Sequence, residues 1–300
     1  MEEEENTAVS QLQAAESLSK VERILGSCEH LPATPQVFVR LWSIIDRPDT
    51  TVDELTEVVE SDPSLAASLL RIVNSVSFGL NRHISSVREG IVYLGFSQLK
   101  SLSIAIVVKT GLLLQRPQMK TMDRNLLWRH CLSAGIAARF LAREANIHQG
   151  TAFVAGLLHD MGWMLMDLAV PAELEPIFAD AARKNMSTEA LEFQRFGFTH
   201  ADVGAWLMER WGLPSILCDG VRYHHWPGKS PRHQDLAAVV HIADVLATQA
   251  MPYLTELPMP EDAPDSVWRI AKVSPTVRLA ALHYVSSEMT RMSTLLRLDD

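Results

Sequence analysis

Seven side chains able to bind a metal ion or move a proton stand at His130, the adjacent pair His159-Asp160, His200, the tandem His224-His225, and Asp244. Imidazole nitrogen mixed with carboxylate oxygen suits a borderline or harder divalent ion such as Fe, Mn, Zn or Mg. Helical spacing puts His130 on one face with Ala134, Ala137, Ala138 and Leu141, and Asp244 on one face with Ala237, Val240 and Ala247. His200 opens a segment whose same-face residues are Val203, Gly204 and Leu207. A carboxylate among apolar side chains costs several kcal/mol unless a cation or donors meet it. A metal answers that demand, and so does a hydrogen-bonded core without one.

The pair in "GLLHDMGW" is read in two ways. In mid-helix the two side chains diverge by about 100°. Near a helix end, with Gly162 allowing the chain to turn, they converge on one ion. Otherwise His159 satisfies carbonyls at the helix terminus and Asp160 caps the next segment. Met161, Met164 and Met166 have the mixed spacing of core filler rather than of copper ligands, and Trp128, Trp206 and Trp211 read as packing residues.

The elements that carry these residues are helices. Asp62-Pro63 places a cap before a proline at the first helical position, followed by "SLAASLLRIVN" with apolar residues three and four apart. Ser86, Ser97, Thr199 and Ser274-Pro275 are further start signals, and Gly95 and Gly212 are stops. Strand alternation is scarce, so the fold class is all-α, although "IAIVV" near residue 106 is ambiguous by periodicity. A polar break over residues 112–123 separates two helical lobes, and "ELPMPEDAPDS" precedes a closing helix from about Pro275 to Leu296. There Leu282, Val285, Met289, Met292 and Leu296 form a stripe that packs on its own lobe or forms a homodimer seam. Asn74 in "VNSVSFG" is expected to fix a helix-to-loop turn.

With 27 Lys+Arg against 36 Asp+Glu the net charge is -9, which opposes general binding to nucleic acid or anionic membranes. The three cysteines, Cys28, Cys131 and Cys218, form neither a disulfide framework nor a thiolate zinc motif, which fits a reducing cytoplasm. The acidic "MEEEENTAVSQLQ" is unlike a signal peptide, and no apolar run is long enough to span a membrane.

The order His130, His159-Asp160, Asp244 resembles the HD phosphohydrolase superfamily, and His200, His224 and His225 resemble the extra ligands of its two-metal HD-GYP branch. The resemblance is closer to the HDOD (HD-related output domain) family. "HLPATPQVFVRLWSII", "VVESDPSLAASLLRIVNSVSFG", "FVAGLLHDMGW", "FGFTHADVGAWLMERWGLP", "VRYHHWP" and "VVHIADVLA" match it in order over about residues 30–250. It implies an N-terminal lobe at 21–118 and an HD-type helical bundle at 119–253, which the glutamate-rich pattern of 1–20 precedes as a flexible acidic leader and a loop with a closing helix follows at 254–300. It further implies a bacterial signalling module that works through signalling-protein partners, with one or two metal ions at those seven residues. The competing expectation is a metal-dependent phosphohydrolase acting on a nucleotide or cyclic dinucleotide, with Asp160 in the catalytic centre. Against turnover, Trp163 stands where active relatives carry a lysine, and "WPGKS" departs from the HD-GYP pattern; Arg222 and Lys229 read as solvated surface residues.

Overall fold

The computed structural model describes residues 16–17, 19–26, 36–45, 47–74, 83–113, 119, 123–250 and 262–296. Among these there are helices and no strands, as expected, and "IAIVV" is helical. No helix of the described residues is long and apolar enough to cross a membrane. The chain forms two compact units, residues 1–31 with 116–285, and residues 32–115 with 286–300. This differs from the contiguous division read from sequence. Residues 21–31 group with the later helices, and the closing helix is divided at Val285.

The smaller unit contains α1 (Gln36–Ile45), α2 (Val52–Glu60), α3 (Pro63–Val73), α4 (Val87–Leu94) and α5 (Phe96–Leu113). Asp62 caps α3 through the Ser64 and Leu65 amides, and Ser86 caps α4 through Glu89. Gly95 ends α4 at φ 82°, a left-handed value that costs glycine nothing. Helix α5 begins at Phe96, so Ser97 is its second residue and not the cap expected before it. Asn74 does fix the turn after α3: its amide donates to the carbonyls of Leu70 (2.8 Å) and Ile84 (2.7 Å) and accepts from the Ile84 amide (2.7 Å). The Lys100 ammonium is buried, donating to the Ile44 carbonyl at 2.6 Å and lying over the Phe96 ring.

The larger unit holds α6 (Arg124–Ala145), α7 (Gln149–Leu158), α8 (Met161–Ala169), α9 (Pro171–Lys184), α10 (Thr188–Phe196), α11 (His200–Arg210), α12 (Ser215–Arg222), α13 (Gln234–Ala250) and α14 (Asp265–Ala271). The last helix, α15 (Arg278–Leu296), starts here after a 3-10 turn capped by Ser274. Helix α6 is the axis, packed on α7 and α13, while α8 and α12 pack on α11. Two glycines bring α6 and α7 together: a Cβ on Gly135 would lie 2.9 Å from the Phe153 carbonyl oxygen, and one on Gly156 would lie 2.7 Å from that of Ala134. Any larger residue there forces the backbones apart.

Of the leader, only residues 16–17 and 19–20 are described, and they are helical; the same helix continues to residue 25, with Val21 and Leu25 fully buried. Glu22 accepts from Trp206 Nε1 at 2.6 Å and from Arg210 at 3.1 Å. Residues 1–15, Cys28, and most of the 112–123 and 251–261 breaks lie outside the described residues.

Candidate metal centre

Each expected site residue is placed by a local feature of the larger unit. Asp123 caps α6 through the amides of Asn125 and Leu126, which sets the rotation that turns His130 inward. His159 closes α7 and Asp160 opens α8, so the pair occupies a junction between helices. Asp160 makes no side-chain capping bond, which removes the capping explanation for it. Gly162 is not the turn, since α8 already contains it. Its role is close approach: a Cβ there would meet the His200 carbonyl oxygen at 1.9 Å. Thr199 starts α11 with a reciprocal capping box to Asp202, which presents His200 at the first helical position. His224 and His225 follow the end of α12, and Asp244 projects from α13.

All seven side chains meet. Ligand-competent atoms of His130, His159, Asp160 and Asp244 lie within 4.8 Å of one another, and those of His200, His224 and His225 form a second such group. In the first, His130 Nε2 is 3.3 Å from His159 Nε2 and 3.1 Å from Asp244 Oδ1, and His159 Nε2 is 3.2 Å from Asp160 Oδ2. In the second, His200 Nε2 is 3.0 Å from His225 Nε2. Asp160 joins them: Oδ2 faces the first group, and Oδ1 lies 3.2 Å from His200 Nε2 and 3.8 Å from His224 Nε2. His130, His159, His200 and His224 are fully buried, whereas the Asp244 side chain keeps 21% of its surface and His225 is half-buried.

Surrounding groups hold the rings. His159 Nδ1 bonds the Gly156 carbonyl at 2.8 Å and His224 Nδ1 that of Val221 at 2.7 Å, so a neutral ring at either place directs its Nε2 lone pair into the centre. His200 Nδ1 bonds Glu192 at 2.8 Å, and the same carboxylate accepts from Trp163 Nε1 at 2.5 Å. His241 Nδ1 bonds the His224 carbonyl at 2.8 Å. Glu192 and His241 escaped the sequence reading. Glu192 shares its helix face with Thr188, Glu189, Arg195 and Phe196, a mostly polar set that lacks the apolar-face signal of Asp244. Arg222 is not a solvated surface residue: it is buried and paired with Glu209 at 2.8 Å. Lys229 is exposed and lies over the Trp226 ring.

Burial disfavours every charge in the centre, yet its members oppose one another strongly. For Asp160 burial is outweighed by His159 and His200, which hold its carboxyl well below the usual carboxylate range. For Asp244, burial is likewise outweighed by His130 and His159. Burial pushes His159 down, but Asp160 and Asp244 together raise it to about 10; Glu192 and Asp160 raise His200 in the same way. Burial and the neighbouring imidazoles depress His224 well below its ordinary value and His225 to about 3. Without a metal, imidazolium protons therefore neutralise the carboxylates. A divalent cation fits the same place, because the donor set is nitrogen and oxygen and because His224 Nε2 is buried with no hydrogen-bond partner.

Comparison with known proteins agrees with this architecture. An uncharacterized protein of Treponema pallidum (strain Nichols) is 26% identical over 220 residues, 72% of this chain and 42% of the relative. This chain spans about two fifths of the length of the curated relatives it matches. Among solved structures, an HDOD domain protein of unknown function from Geobacter sulfurreducens has a TM-score of 0.76 at 23% identity, covering 93% of this chain and 97% of that one. A provisionally assigned signal-transduction protein from Marinobacter aquaeolei VT8 also has a TM-score of 0.76, at 21% identity, covering 98% and 67%. Both share the all-helical fold. Residues 31–227, about two thirds of the chain, match the HDOD domain family, and the chain belongs to that family.

Proposed function

We propose that this chain is a cytoplasmic signal-transduction module that acts by binding a protein partner, with a divalent metal centre serving structure rather than turnover. His130, His159, Asp160 and Asp244 would hold one ion, and His200, His224 and His225 a second, with Asp160 between them. The observation that carries the non-catalytic reading is Trp163. A phosphoester hydrolase needs cationic groups to take up charge developing on phosphate. Here the position after "HDMG" holds an indole that is 3% exposed and donates its single N–H to the buried Glu192. The signal-transduction assignment of the Marinobacter protein supports the same reading. The described cysteines, Cys131 and Cys218, are buried free thiols, which accords with a reducing compartment.

One observation favours the competing reading, a metal-dependent phosphohydrolase acting on a nucleotide or cyclic dinucleotide. Asp160 faces both imidazole groups, as a two-ion hydrolytic centre requires. A bound divalent ion would supply Lewis acidity and a lowered pKa for coordinated water. The chain's own part is to fix four rings around the Asp160 carboxylate and to leave Asp244 and His225 partly exposed. The deciding experiment quantifies metal in the purified protein and assays nucleotides and cyclic dinucleotides with added Mn or Fe. Bound metal without turnover is expected. Metal-dependent turnover that Asp160→Ala abolishes would establish the hydrolase instead, and a protein that binds no divalent ion would remove the metal centre from both readings.

A further inference from the structure

We infer that Glu192 is a positioning residue for the His200 group, and that Trp163 holds Glu192 in place so that His200 is the most strongly donating imidazole of the centre. The inference rests on the metal-binding reading above. Glu192 is 0% exposed, and a buried carboxylate without partners would cost several kcal/mol. Three donors meet it. Its Oε2 accepts from the His200 amide at 2.7 Å and from His200 Nδ1 at 2.8 Å, and its Oε1 accepts from Trp163 Nε1. Two bonds to one residue, one from the main chain and one from the ring, fix both the start of α11 and the rotation of the imidazole. The Trp163 ring centroid lies 4.2 Å from that of His200, which closes one face of the imidazole against tilting.

The difference from the neighbouring rings is chemical. His159 and His224 are oriented by main-chain carbonyls, whereas His200 is oriented by an anion. An anionic partner on Nδ1 increases the basicity of Nε2 and so its strength as a ligand. Glu192 lies on α10 and Trp163 on α8, so the relay ties three helices to one ligand. Its effect should therefore fall on the ion at His200, His224 and His225 and much less on the ion at His130, His159 and Asp244.

The test titrates the metal-stripped full chain with Co(II), following visible absorbance and tryptophan fluorescence. In the wild-type chain two equivalents are expected. Glu192→Gln should weaken the second by roughly 10- to 100-fold, the usual effect of losing an outer-sphere partner, while the first changes by less than about threefold. Glu192→Asp should recover part of the loss, which a general packing defect would not. Trp163→Phe should weaken the second equivalent and lower the fluorescence response to cobalt, the remainder coming from Trp226 beside His225. If Glu192→Gln does not fold, as judged by circular dichroism, Trp163→Phe decides. Retention of both wild-type affinities by Glu192→Gln, or of the second affinity by Trp163→Phe, overturns the inference and leaves the metal reading standing. A wild-type chain that takes up no cobalt overturns both.

Discussion

Replacing Gly162 by alanine is the most direct test of how the two imidazole groups are brought together. The added methyl carbon would lie 1.9 Å from the His200 carbonyl oxygen, 2.8 Å from the carbonyl carbon and 2.9 Å from the Gly204 amide nitrogen. All three are main-chain atoms, so no side chain can swing aside. Restoring an ordinary approach of about 3.0–3.4 Å needs α8 and α11 to part by roughly 1.1–1.5 Å, the excess over the observed 1.9 Å. If that movement falls along the line between His200 Nε2 and Asp160 Oδ1, their 3.2 Å separation opens beyond about 4 Å, and Asp160 loses the second group. Overpacking of this kind costs about 3 kcal/mol or more. For a unit of this size that corresponds to a Tm lower by roughly 6–12 °C. Differential scanning calorimetry with cobalt titration should show the lowered Tm and loss of the second equivalent. Gly212→Ala is the control: Gly212 has φ 70° and no atom within 4 Å of the place a methyl would take, so only left-handed strain of about 1–2 kcal/mol is expected, with metal binding intact. A Gly162→Ala chain that melts within about 2 °C of wild type and keeps both equivalents would refute the reasoning.

The metal-free chain should have a stability maximum near pH 6.5. Below it, the depressed His224 and His225 refuse protons that the unfolded chain accepts, so stability falls as pH falls; above it, His159, raised to about 10, holds a proton the unfolded chain has released, so its contribution is lost as pH rises to about 10. Each such histidine changes stability by about 1.4 kcal/mol per pH unit inside its window, measurable by urea denaturation at stepped pH, and a flat profile would contradict the assignment. Because a divalent ion displaces those protons, calorimetry in buffers of different ionisation enthalpy should record proton release on metal binding. In the smaller unit, Asn74→Asp places an oxygen against the Leu70 and Ile84 carbonyls where an amide now donates, and should destabilise that unit by about 1–3 kcal/mol in chemical denaturation; an unchanged midpoint would rule out the amide bridge. Asp167 is buried and accepts from the Met119 amide and from Arg124, so Asp167→Ala should cost about 3–5 kcal/mol, and adding Arg124→Met should recover part of it by removing the buried cation that faced Asp167. A double variant no more stable than the single one would show that the pair is not the source of the loss.

The residues most readable in advance were those whose behaviour is governed by near neighbours in the chain. Asp62, Ser86 and Thr199 cap their helices because each side chain needs only the next two or three amides, and Gly95 and Gly212 end theirs because φ is positive there. The inward places of His130, His200 and Asp244 were also readable, since polar groups on otherwise apolar helix faces must find partners inside, whereas His159-Asp160 and His224-His225 stood out only as adjacent pairs. Glu192 lacked the apolar-face signal, since its face also holds Thr188, Glu189 and Arg195, and it sits eight residues from the ring it orients, in a different helix. Arg222 was misjudged because its partner, Glu209, lies thirteen residues away.

Amino-acid order alone determined the helical class, the caps and the set of side chains that need a buried partner, because those depend on backbone bonds and periodicity within a few residues. Tertiary packing decided that Asp160 would serve two imidazole groups, that Gly162 would be a point of contact between helices rather than a bend, and that Trp163 would spend its indole hydrogen on Glu192. These outcomes are set by how closely α8 approaches α11 and by which ring faces which carboxylate. Distances of that kind arise between segments remote in the chain, and only the packed helices fix them.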